Sequence, residues 1–135
     1  MVPDALNKQV ASLKAAGLDI EVAECDNQCY IVVRAMASPS PPWDKTAYDI
    51  AIAIPTAFDD AELNGFYVRL PCEYSGGQHK RINGGKINLL NQEWQLVSWH
   101  YPDGKPWQPG RDSLETHIVH CRGFFLDRGA VNDRR

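Results

Sequence analysis

The chain has 135 residues, a formal net charge of −3 and 44% hydrophobic residues, which suits one domain with its own core. The mild acidity and the lack of any Lys/Arg block argue against a nucleic-acid partner. No apolar run approaches the ~20 residues that span a bilayer, and "MVPDALNKQV" lacks the basic-then-apolar plan of a signal peptide. No membrane partner and no cofactor are expected, and the cytoplasm is the expected compartment.

"PDALNKQVASLKAAG" predicts an amphipathic helix, with Pro3 in its first turn, Leu6, Val10 and Leu13 on one stripe and Gly17 as its stop. "LDIEVAEC" alternates as a half-buried strand, and "CYIVVRAM" follows through a "DNQ" turn. The prolines of "ASPSPPW" lack donors and exclude a central strand. "YDIAIAI" places Tyr48, Ile50, Ile52 and Ile54 on one face, and "FYVRL" (66–70) is the fourth strand. From Pro71 to Gln92 two Gly-Gly pairs interrupt the pattern, so the segment is read as long, irregular and mobile. "EWQLVSWHY" returns to strand-like composition. "RDSLETHIVHCRGFFLDR" then predicts a closing helix with Asp112 and Glu115 as its capping pair and Leu114, Ile118, Cys121 and Phe125 as its buried stripe. The plan is α+β: an N-terminal helix, a four-stranded antiparallel meander, a long irregular active-site segment and a closing helix. Residues 1–128 form a single domain, and 129–135 read as a frayed tail. One face or edge of the sheet is left for a partner.

Cys25, Cys29, Cys72 and Cys121 are expected to be reduced thiols. Cys25 and Cys29 flank the "DNQ" turn and can face each other across it. With His117, His120 and Cys121 they raise the question of zinc. Their C-x3-C spacing is loose for such a site, and His117, Cys121 and Phe125 share one helix face, so no metal is assigned.

The order of elements, with "YDIAIAIPTAF", "ELNGFYVRLP" and "PWQPGRDSLETHIVHC", resembles the ubiquitin-conjugating-enzyme (UBC-like) superfamily from Pro3 to about Leu126. Trp107 and Pro109 match its Trp-x-Pro entry to the following helix. More narrowly, it resembles the bacterial group called prokaryotic family E, whose members carry a similar serine–x–histidine before the tryptophan. The resemblance implies a component of a ubiquitin-like protein conjugation pathway. Its partners would be a ubiquitin-like protein and an adenylating activating enzyme, the latter meeting the N-terminal helix at Lys8 and Lys14. It implies structural roles for Trp107 and Pro109, beside that of Asp112 as the cap of the closing helix.

The departures from that family are informative. Its catalytic cysteine lies on the segment leading to the tryptophan, a position that falls at Trp99, between Ser98 and His100. No cysteine is near, and the usual His-Pro-Asn is replaced by "HKRIN", with His79 and Asn83. In an extended segment Ser98 and His100 would point to one side, roughly 7 Å apart. Histidine is the usual base that turns serine into a nucleophile, so Ser98 and His100 are the candidate catalytic residues. Trp99 and Asn83 are candidate binding residues. Two further readings stay open: a polar surface that binds a tail without reacting, and a His100 that merely caps the "YPDG" turn. Cys72, opening the irregular segment, is the rival nucleophile and the thiol expected to be most exposed. The sequence favours an acyl transferase without the standard cysteine. The alternative is a non-catalytic UBC-like module that binds a ubiquitin-like protein or scaffolds the activating enzyme.

Overall fold

Helix α1 (Asp4–Ala15) buries Leu6, Val10 and Leu13, the stripe its spacing predicts. Pro3 sits just outside it as the N-cap. At the other end Leu18 N–H donates to Leu13 O (3.1 Å) and Gly17 N–H to Lys14 O (3.0 Å). Gly17 supplies the positive φ (98°) that this closure requires. The computed structural model describes residues 2–58, 61–101, 104 and 106–127. The predicted frayed tail, and residues 102–103 of the "YPDG" turn that a capping His100 would close, lie outside the described residues.

Strands β1 (Ile20–Cys25) and β2 (Gln28–Ala37) form a hairpin. Its turn residues Asp26 and Asn27 both have positive φ (53° and 65°), the geometry that matches strand twist and that Asp and Asn tolerate best. The register pairs Cys25 with Gln28 and Glu24 with Cys29. Cys25 and Cys29 are therefore offset, not opposite, and all four cysteines are free. Strands β3 (Ala47–Ile54) and β4 (Phe66–Arg69) extend the antiparallel meander.

Beyond β4 the structure departs from the expected irregular segment. The sheet has six strands in the order β1-β2-β3-β4-β6-β5. β5 (Ile82–Leu89) and β6 (Gln92–Val97) form a second hairpin, and β6 returns to pair with β4. Sequence patterning missed β5 because its alternation is broken. Ile82 pairs with Val97 and Lys86 with Gln95, so four steps along β5 face two along β6. The extra residues bulge out at Asn83, Gly84 and Gly85. A Cβ on Gly84 would lie 2.6 Å from Leu96 Cβ, so the backbone approach excludes a side chain there. The glycines that suggested mobility include one that packing demands.

Helix α2 (Leu114–Leu126) is capped one residue later than predicted. Ser113 Oγ accepts from Thr116 N–H, and Thr116 Oγ1 accepts from Ser113 N–H, a reciprocal box. Asp112 instead accepts from Gln108 N–H at 2.7 Å, closing the turn that leads to the helix. The predicted stripe of Leu114, Ile118, Cys121 and Phe125 is buried, together with His117 and Phe124.

Both helices contribute to the main core, which lies against one face of the sheet. The other face is not bare. Ala23, Tyr30, Val32, Ala51, Leu89 and Trp94 form a smaller core there, with Tyr67 edge-on to Tyr30. The sheet curls enough for its two edge strands to meet: Cys25 Sγ of β1 lies 3.6 Å from Asn88 O of β5. Right-handed twist accumulated over six strands makes such closure possible.

Candidate functional site

The strand that carries the site ends before it. β6 stops at Val97, after which Ser98 N–H donates to Arg81 O (2.7 Å) and Trp99 N–H turns back to Val97 O (3.1 Å). Ser98 and His100 therefore do not share an extended face, and each has its own partner. Trp99 is buried, and its indole N–H donates to His120 O of α2 at 2.8 Å. It anchors the segment to the helix and offers no surface for binding, because its ring is committed to Phe124 and His120.

Half-buried Ser98 donates its hydroxyl proton to Asn83 Oδ1 at 2.8 Å. Asn83 reaches it because it stands on the β5 bulge. Gln95 Nε2 braces that bulge by donating to Gly84 O at 3.1 Å. The second pair is His100 and Asn64, with Nδ1 and Oδ1 3.0 Å apart. An amide oxygen only accepts, so this contact places a proton on Nδ1. Sequence reasoning missed Asn64. It lies in the lead-in to β4, and nothing in "ELNG" points across the fold to His100.

A buried bridge fixes these two stretches side by side. His117 is fully buried. Its Nε2–H donates to Gly65 O (2.8 Å), so its Nδ1 accepts from Tyr101 O–H (2.7 Å). Residues 64–65 are thereby tied to 100–101 twice, once through Asn64 and His100 and once through His117. Burial holds His117 neutral, lowering its pKa to about 4 against the help of the Gly65 carbonyl. The same burial raises the pKa of Tyr101 and keeps its hydroxyl proton available to donate.

The cysteines stand apart from this site. Cys72 is only 6% exposed, contrary to the exposure its place after Pro71 suggested. Burial, reinforced by Asp44, pushes its thiol up to about 12, the opposite of an activated nucleophile. Cys121 and Cys29 are buried, and Cys25 is on the β1–β2 hairpin. His117 spends both ring nitrogens within the protein. Among the described residues no group of three or more His, Cys, Asp or Glu could hold a metal ion.

A residue of the segment expected to be mobile is instead an anchor. His79 is buried and stacked on Trp43 (centroids 5.4 Å apart), and its Nδ1 accepts from Arg81 N–H at 3.0 Å. Burial, then Arg81 and Lys80, lower its pKa to about 4. It nails the start of β5 to the core. Trp107 is buried edge-on to Tyr101 and His117, whereas Pro109 is exposed in the turn that Asp112 closes. Lys8 and Lys14 are exposed on α1, and no helix among the described residues is long and apolar enough to cross a membrane.

An N-terminal helix, an antiparallel sheet, and a buried tryptophan leading into a helix packed on that sheet define an E2-like protein of the UBC fold. More narrowly, the family model of prokaryotic E2 family E matches residues 6–125, and the chain belongs to that family. No curated protein and no solved structure matches it.

Proposed function

We propose that this E2-like protein accepts the C-terminus of a ubiquitin-like protein on Ser98, after an adenylating activating enzyme has activated that terminus. One observation carries the reading. At the position where the fold does its chemistry, the accessible nucleophilic atom is the Ser98 hydroxyl, ordered by Asn83, while Cys72 is buried with a raised pKa. In the step, Ser98 Oγ forms an ester bond to the activated carboxyl carbon and the bond to the leaving group breaks. The leaving group takes the electron pair, and the serine proton passes through His100 to it. Because the resting hydroxyl points at Asn83, it must rotate toward His100 when the acyl group arrives. Such tightening on substrate binding is ordinary for catalytic hydrogen bonds. Exposed Lys8 and Lys14 on α1 would meet the activating enzyme.

The test mixes the protein with activating enzyme, ATP and the ubiquitin-like protein and looks for a covalent adduct by mass. The expected adduct resists thiols, yields to hydroxylamine and disappears in Ser98→Ala. His100→Ala should slow its formation by about 10²–10⁴-fold, the usual contribution of a positioned base. A thiol-sensitive adduct lost in Cys72→Ala would sink the serine assignment. A second reading, a module that positions the tail without reacting, is favoured by Ser98 and His100 each bonding an asparagine and not one another. It predicts no adduct but retained, Ser98-dependent binding.

A further inference from the structure

We infer that Asn64 is the positioning residue for His100: it holds the imidazole in the tautomer with its proton on Nδ1, leaving the Nε2 lone pair as the proton acceptor. The inference rests on the transfer reading for its purpose, but its geometry stands without it. His100 is an exposed side chain on a chain segment that has left its strand. Left to solvent, its ring would sample several rotamers and either tautomer. Which nitrogen carries the proton is decided by the hydrogen bond the other atoms impose, and here Asn64 Oδ1 sits 3.0 Å from Nδ1.

An exposed Asn–His contact would ordinarily be a passing one. What fixes this contact is its surroundings. Asn64 stands between Leu63, which is fully buried, and Gly65, whose carbonyl accepts from buried His117. His100 stands between Trp99, anchored on α2, and Tyr101, whose hydroxyl donates to the same His117. Both backbones are therefore held on either side of the exposed pair. The Gly65–His117–Tyr101 bridge sets the separation that the Asn64–His100 bond requires. Gly65 has a positive φ of 69°, a backbone conformation that strains a residue bearing a side chain, so the chain here favours glycine. The consequence for transfer is directional. With Nδ1–H engaged, the ring can take the Ser98 proton only at Nε2 and can then deliver it to the leaving group. The arrangement has the logic of a base oriented by a third residue.

Two measurements decide it. Nitrogen NMR of the His100 ring in the free protein should show the Nδ1–H tautomer in wild type, and a mixture or the Nε2–H form in Asn64→Ala. Asn64→Asp, whose carboxylate can only accept, should keep Nδ1–H. In the adduct assay Asn64→Ala should slow transfer by about ten- to a hundredfold, part of the ~10²–10⁴ that a positioned base contributes, and Asn64→Asp should restore most of it. An Nε2–H ring in wild type, or a tautomer and rate unchanged in Asn64→Ala, overturns the inference. So does a rate lost equally in Ala and Asp variants, which would mark a merely structural residue. If wild type forms no adduct the transfer reading fails, and the NMR measurement still decides the role of Asn64.

Discussion

The two hairpins at opposite edges of the sheet are built alike and used differently. β1–β2 runs in unbroken register from Ile20↔Val33 to Cys25↔Gln28 around a two-residue turn. β5–β6 also turns on two residues with positive φ, Leu90 and Asn91 (54° and 60°), but its register breaks between Ile82 and Lys86. The regular hairpin supplies core and edge. The broken one pushes Asn83 out to meet Ser98. A bulge re-aims side chains at the cost of ladder pairing, and the candidate site lies where that cost is incurred.

The largest effect should come from removing the indole that holds the broken hairpin together. Trp94 is 2% exposed in the smaller core, and its N–H donates to Leu89 O (2.9 Å) just before the turn. Trp94→Ala should destabilise by about 3–5 kcal/mol, read by denaturant unfolding. Amide exchange should rise across 82–97 before it rises across 20–33. Equal loosening of both hairpins would show that they are not separate units. Next comes the bulge itself. Gly84→Ala forces a Cβ into Leu96 and should cost about 1–3 kcal/mol as overpacking, whereas Gly85→Ala meets nothing within 4 Å and should stay within about 0.5 kcal/mol of wild type. If the two substitutions cost the same, the close approach at Gly84 is not what shapes the bulge.

Acid should separate the two regions further. His79 and His117 brace the approaches to β5 and to the site, and both have pKa values lowered from 6.5 to about 4. A histidine held neutral in the fold takes up its proton more readily when unfolded. Its stabilisation is thus full above about 6.5 and is lost as pH falls toward 4. At pH 5 the loss for fully buried His117 is on the order of 1–2 kcal/mol. The denaturation midpoint should fall between neutral pH and pH 5, and less so in His117→Gln. A midpoint that does not move would mean that these rings are not shielded as their burial implies.

How far the sequence could be read follows the same division. Helix α1, β1 to β4 and the stripe on α2 were legible because each carries a run of apolar residues bounded by turn or breaker residues, and the bulge in β2 between Val33 and Met36 falls after its apolar run is already set. β5 was not legible, since a bulge destroys alternation and paired glycines look the same whether they loosen a loop or admit a neighbouring side chain. The cap on α2 was misplaced by one residue because Asp112 and Ser113 are both good capping residues, and the turn at Gln108 claims the first. Ser98 and His100 could be located by their place before Trp107, but their partners could not. Asn83 and Asn64 come from segments 15 and 36 residues away in the chain, and no local pattern records such pairings. Burial of Cys72 was equally invisible, because it depends on a segment whose alternation the bulge breaks.

The smallest predicted effect is a gain. Leu90, 46% exposed at the tip of β5–β6, holds a φ of 54°, a conformation that costs an ordinary L-residue roughly 1–2 kcal/mol. The equivalent first turn position of β1–β2 is Asp26, which tolerates it far better. Leu90→Asn should therefore relieve strain and raise stability by about 0.5–1 kcal/mol, read as a higher denaturant midpoint with unchanged slope. Because Leu90 lies at the opposite end of β6 from Ser98, the Ser98–Asn83 pair should be undisturbed, and adduct formation should match wild type. Asn27→Ala in the other hairpin should move stability the opposite way, since it places a less tolerant residue at a φ of 65°. A loss of stability in Leu90→Asn would mean that the leucine side chain contributes packing that outweighs its backbone strain. The two turns would then differ in function as well as in sequence.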